Sequence, residues 1–156
     1  LRKKNYNFFE QLFFNHIPYC FLMEKKIFEK VGNYDEEMKL GYEDWEFNIR
    51  LAKAGFFPKR IGQPLFHYRV SKSGMLNSMS KKFHFDTFNY IKKKHLEIYT
   101  FNNLFRIYLE WRKKKMNHNI LIYVLIYYTS NLFSIKLCNK IFGLILKLKM
   151  TNQIKS

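Results

Sequence analysis

The apolar positions of this chain change spacing along its length, and the changes mark the elements. Phe8, Phe9, Leu12 and Phe13 recur at i, i+1, i+4 and i+5, which predicts a helix over residues 1–14 with one apolar side. Ile17 to Met23 (IPYCFLM) is a short apolar run and reads as a strand. Glu24 to Val31 (EKKIFEKV) reads as a helix of two turns, with Gly32 where a C-cap requires positive φ. Tyr34 to Leu40 is an acidic loop, and Tyr42 to Ala54 is a second helix closed by Gly55. Pro64 to Val70 (PLFHYRV) alternates and reads as a strand. Residues 76–156 are mostly helical, with few breakers.

The pattern therefore predicts an α/β piece over 15–75 and a helical extension over 76–156. With 156 residues, 47% of them hydrophobic and 19% aromatic, the chain can bury a real core. The chain begins at Leu1, which points to a longer parent polypeptide. No signal peptide is legible in LRKKNYNFFEQ. Cys20 and Cys138 fit no C-x-x-C pattern and read as two buried free thiols in a reducing compartment.

Charge separates the two parts. Residues 1–75 carry 13 Lys/Arg against 9 Asp/Glu, a net +4, and residues 76–156 carry 15 against 3, a net +12. A basic, aromatic-rich second half attracts polyanions, either nucleic acid or anionic lipid. The run 120–128 (ILIYVLIYY) is unbroken but nine residues long, and Thr129, Ser130 and Asn131 follow it. A membrane-crossing helix needs about 20 apolar residues. Beyond Leu132, Lys136, Lys140, Gly143 and Lys147 fall on one helical face, a pattern suited either to an interfacial helix or to a packed helix with a basic edge.

The stretch GYEDWEFNIRL, from Gly41 to Leu51, carries the densest candidate chemistry. With Asp44 set at 0° on a wheel of 100° per residue, Trp45, Ile49 and Ala52 fall at about 80–140°. Phe47, Leu51 and Ala54 fall at about 280–340°, so Asp44 and Asn48 lie between two apolar arcs. Glu43, Glu46, Arg50 and Lys53 take the remaining side, where Glu46 and Arg50 can pair. Asp44 thus points toward the face that should be buried, and Glu43 toward its edge. Two readings of Asp44 follow: an N-terminal helix acid satisfied by backbone N–H groups, or a carboxylate at a cleft wall that serves as general base. In PLFHYRV, Leu65, His67 and Arg69 share one face, and an imidazole beside a guanidinium suits a metal and a phosphate.

Taken together, Asn15-His16-Ile17-Pro18, EKKIFEKVGNYDEEMKLGYEDWEFNIRLAKAGF and PLFHYR resemble family 2 glycosyltransferases. The similarity is to the C-terminal, acceptor-side half of the catalytic domain, with the galactosyltransferase-type C-terminal region, over roughly residues 15–75. The resemblance implies a partial GT-A fold in residues 1–75, followed by the helical extension. It implies transfer of a sugar from a nucleotide-diphosphate-sugar to an acceptor hydroxyl in glycan or surface-polysaccharide biosynthesis, a hexosyltransferase type of reaction.

In that reading Asp44 is the catalytic base and Glu43 holds acceptor hydroxyls. Trp45 stacks on a sugar ring or packs in the core. His67 is a ligand of the divalent metal, Mn2+ or Mg2+, that bridges the donor diphosphate, and Arg69 and Lys72 neutralise the leaving phosphate. The resemblance departs at Gly32-Asn33, where the family often has two glycines, and in lacking the nucleotide-binding half with its Asp-x-Asp metal motif. Asp35-Glu36-Glu37 does not follow an apolar strand and is a poor substitute.

The implied partners are a nucleotide-sugar donor and a glycan or lipid-linked glycan acceptor, with an anionic membrane surface as a further one. The implied location is cytoplasmic, at the inner face of the membrane. The competing readings are a non-catalytic basic membrane-peripheral adaptor and a nucleic-acid-binding protein. No recognisable nucleic-acid-binding motif is present, so no nucleic acid is expected as partner.

Overall fold

A computed structural model describes residues 5–17, 19–39, 41–63, 65 and 83–141. The described residues form helices: α1 (Phe8–Gln11), α2 (Lys25–Val31), α3 (Glu43–Lys53), α4 (His84–Lys94), α5 (Phe101–Trp111) and α6 (Ile120–Leu132), with a further helical stretch over 135–141. No strand is present among them, which corrects the expected α/β, partial GT-A architecture.

The physical reason is visible at Ile17 to Met23. An extended segment becomes a strand only beside another strand that takes its backbone hydrogen bonds. Here the neighbouring surface is helical, and Phe21 stacks on Phe47 of α3 with ring centroids 6.4 Å apart. The described residues of this segment are irregular, and Tyr19, Cys20 and Leu22 are exposed. Apart from Leu65, the second expected strand, Pro64 to Val70, lies outside the described residues.

The single turn α1 is the hub of the molecule. It is shorter than the helix expected over 1–14, because Asn7 starts it by accepting the Glu10 N–H at 3.4 Å. The expected apolar side holds: Phe8, Phe9, Leu12 and Phe13 are buried. α1 packs on α5 and α3. Its last carbonyls lack helical donors and find them elsewhere. Trp45 Nε1 donates to the Gln11 carbonyl at 2.6 Å, and the Tyr99 hydroxyl donates to that of Leu12 at 2.7 Å. One core then joins Leu12 and Phe13 to Trp45 and Ile49 of α3, Phe88 and Ile91 of α4, Ile107 of α5 and Tyr123 of α6.

The punctuation read from the sequence is in place. Gly32 and Gly55 end α2 and α3 with φ of 85° and 86°. Thr100 caps α5 by accepting from Asn103 N–H, and Asn119 caps α6 by accepting from Leu121 N–H. The stretch 135–141 is docked by Asn139, which accepts from Phe85 N–H at 3.1 Å and donates to Asp86 at 2.7 Å. Cys138 is buried in the core and Cys20 is exposed, and both are free thiols.

Two carboxylates are fully buried. Glu10 accepts from the backbone N–H groups of Asn117 and His118 at 2.9 and 3.1 Å, from the Asn117 side chain and from the Tyr123 hydroxyl. Glu46 sits on the side of α3 that the wheel assigns to solvent, yet it has no exposure. The C-terminal end of α4 closes over it. Arg50 Nε meets both Glu46 oxygens at 2.9 and 3.0 Å, Lys94 Nζ lies at 3.1 Å and His95 Nε2 at 2.9 Å. Arg50 also caps the end of α2, donating to the carbonyls of Val31 and Asn33 at 2.6 Å each. The expected Glu46–Arg50 pair is therefore present and ties α2, α3 and α4 together.

Candidate functional site

The start of α3 is built on strained backbone. Gly41 has φ 87° and Tyr42, the N-cap, has φ 67°. For Tyr this left-handed conformation costs about 1–3 kcal/mol and persists only where its surroundings impose it. The Tyr42 ring packs edge-on against Trp45, with centroids 5.5 Å apart, and holds the turn. Glu43 and Asp44 follow in the first helical turn, both half-buried.

Asp44 turns inward, as the wheel predicts, onto the side chain of Asn15. Asn15 is held by three donors on its oxygen: Gln11 Nε2 at 3.1 Å, Ile17 N–H at 3.3 Å and Asn48 Nδ2 at 3.4 Å. That leaves the Asn15 amide nitrogen to donate to Asp44, and it fixes the orientation of the amide. Asn48, one turn after Asp44, is buried, and its Oδ1 has no hydrogen-bond partner among the described residues.

The electrostatics favour a protonatable group. Burial, and then the neighbouring Glu43 charge, push the Asp44 carboxyl up to about 6, against the opposing pull of Asn15 and of backbone N–H groups. Burial and the Asp44 charge also push the Tyr42 phenol up to about 12. Tyr34 is raised by burial, then by Asp44 and Glu43. With a pKa near 6 the Asp44 carboxyl is roughly nine-tenths ionised at pH 7 and still able to take a proton.

Trp45 adopts the second of its two expected roles. It has no exposure, its ring stacks on His84 at 5.4 Å, and its N–H is spent on Gln11. Burial drives the His84 imidazole down to about 3, so it stays neutral. His67, Arg69 and Lys72 lie outside the described residues.

No group of three or more His, Cys, Asp or Glu among the described residues could hold a metal. Asp35 is engaged by Lys94 at 2.6 Å and by the Tyr90 hydroxyl at 2.8 Å, which removes it as a ligand. His67, the expected metal ligand, lies outside the described residues.

Sequence reasoning missed Asn15 as the partner of Asp44, and it missed Gln11 altogether. The signal for Asn48 was there, since it shares the gap between the two apolar arcs with Asp44. A search against protein-family models, curated proteins and solved structures returns no match to this chain.

Proposed function

We propose that this chain supplies the acceptor side of a glycosyltransferase, in which a sugar passes from a nucleotide-diphosphate-sugar to an acceptor hydroxyl of a growing glycan. The observation that carries the reading is Asp44 itself: an inward carboxylate on a strained helix start, oriented by Asn15 and kept half-buried beside Glu43. Such a group can take the proton from an acceptor O–H while that oxygen bonds to the anomeric carbon. The bond from that carbon to the donor phosphate then breaks, and the nucleoside diphosphate leaves with the electron pair. In this reading Glu43, beside Asp44 in the first turn of α3, orients acceptor hydroxyls.

The test is acceptor-dependent release of nucleoside diphosphate from a panel of nucleotide sugars. It is run on this chain and on any longer polypeptide encoded in frame with it. Asp44→Asn lowers the rate by roughly 10²–10⁴-fold with the fold retained. Full activity in Asp44→Asn refutes the assignment.

The exposed face of α6 supports a position at an anionic membrane surface. Leu121, Leu125, Tyr128 and Leu132 lie on one stripe and are each 46–72% exposed. Ile135 and Leu137 continue the apolar surface, with Lys136 and Lys140 exposed among them. Apolar side chains at headgroup depth with lysines beside them suit an anionic interface. No helix among the described residues is long and apolar enough to cross a membrane. The acceptor would then be a lipid-linked glycan.

A further inference from the structure

The chain carries a cleft of about 300 Å³ between the segment before α1, the loop after α3 and the residues after α5. Tyr6, Phe57, Lys59, Arg60 and Lys114 line it, and no carboxylate among the described residues does. We propose that this cleft binds an organic phosphate, with the phosphoryl group among the three cations and an apolar or flat body against the aromatic wall.

The wall is built rather than incidental. Phe57, Tyr6 and Trp111 form one aromatic set, with ring centroids 5.2 Å apart for Phe57–Trp111 and 5.5 Å for Tyr6–Trp111. Phe57 is half exposed, leaving part of its ring open to a ligand. The Tyr6 hydroxyl is buried and has no hydrogen-bond partner among the described residues. An orphan donor of this kind costs free energy unless something completes it.

The cations match a phosphate in charge. Lys114 lies over the Trp111 ring, its Nζ 4.0 Å from the centroid, at the rim of the aromatic set. Lys59 and Arg60 are exposed on the opposite lining segment. A phosphomonoester carries a charge of about −1.5 to −2 at neutral pH. The planar Arg fork and two ammonium groups suit its three oxygens better than they suit a singly charged carboxylate. The chemistry is shared by a soluble organic phosphate and a phospholipid headgroup. The aromatic wall favours the soluble molecule, since a flat body packs on the rings and a phospholipid headgroup carries none.

The test uses 1-naphthyl phosphate, inorganic phosphate and phosphatidylglycerol vesicles in separate calorimetric titrations of the intact chain, with Trp111 fluorescence as second readout. Saturable binding of 1-naphthyl phosphate below about 1 mM is expected, with inorganic phosphate at least tenfold weaker. Lys114→Glu and Arg60→Ala, both at exposed positions, each weaken it at least tenfold. Lys93→Glu, an exposed cation on α4, leaves it unchanged. Three results overturn the proposal: no saturable binding below about 1 mM, equal weakening by Lys93→Glu, or binding to vesicles alone. The cleft shares no residue with the acid site at α3, so its failure would leave the assignment of Asp44 untouched.

Discussion

His95 Nε2 lies 2.9 Å from Glu46 Oε1, with both side chains buried, and Lys53 Nζ lies 3.2 Å from the opposite ring nitrogen. Lys53 can only donate, so Nδ1 accepts and the Nε2–H donates to Glu46. The imidazole therefore bridges Lys53 and the buried Glu46 carboxylate, joining α3 to the end of α4.

Removing that carboxylate should be expensive. Glu46→Gln leaves Arg50 and Lys94 facing a neutral amide, and loss of one partner of a buried ion pair costs about 3–5 kcal/mol. Lys94 is about one-third exposed, so the low end is expected, near 3 kcal/mol. Urea unfolding at pH 7 measures it; a change under 1 kcal/mol would mean the network is solvated rather than structural.

Acid should weaken the fold through the same network. Burial raises the Glu46 carboxyl, but His95, Lys94 and Arg50 outweigh it and hold it below its ordinary value. The Lys94 hydrogen bond holds Asp35 down to about 2. A folded pKa below the unfolded one gives stability that is complete above the unfolded pKa and lost as pH falls through the folded one. Stability should therefore fall between pH 4.5 and about 2, where Asp35 titrates. Denaturant midpoints at pH 5, 3 and 2 check this, and a flat series contradicts it.

Asp44 has the opposite sign. Its folded pKa of about 6 lies above the ordinary 3.8, so the folded state binds the extra proton. Stability then declines as pH rises from about 4 to about 6 and stays lower above that. Asp44→Asn removes this cost, up to about 3 kcal/mol for a shift of roughly two units, and can keep accepting from the helix N-terminus. Asp44→Asn should be more stable than wild type at pH 7.5 and equal to it at pH 3.5. A destabilised Asp44→Asn at both pH values would return Asp44 to the role of a simple helix cap.

Gly32→Ala tests the backbone alone. The added Cβ would sit 3.7 Å from Arg50 Nη1, an ordinary contact, so only the φ of 85° resists it. With ψ at 178° this backbone lies in a region open essentially only to glycine, and a loss of about 3 kcal/mol is expected. Arg50 should keep its bonds to Val31 and Asn33, since no side chain must move.

How much of this was legible follows from which information each element needs. α2, α3 and their glycine stops are local, so spacing and breakers found them. The inward turn of Asp44 is also local, since one helix axis decides it. The burial of Glu46 is not. Its cover comes from Lys94 and His95, and nothing in α3 announces them. Asn15 escaped for the same reason, because its partners Gln11, Asp44 and Asn48 converge only in three dimensions. Ile17 to Met23 misled because a short apolar run carries no period, and whether it pairs or packs depends on what lies beside it.

The most direct test of the central assignment is the pH dependence of acceptor-dependent sugar transfer, in wild type and Asp44→Asn together. The account predicts a wild-type rate that rises with pH and levels off above about 6, and an Asp44→Asn rate that is roughly 10²-fold lower or worse with that rise absent. An Asp44→Asn variant that transfers at the wild-type rate with the same profile would contradict it.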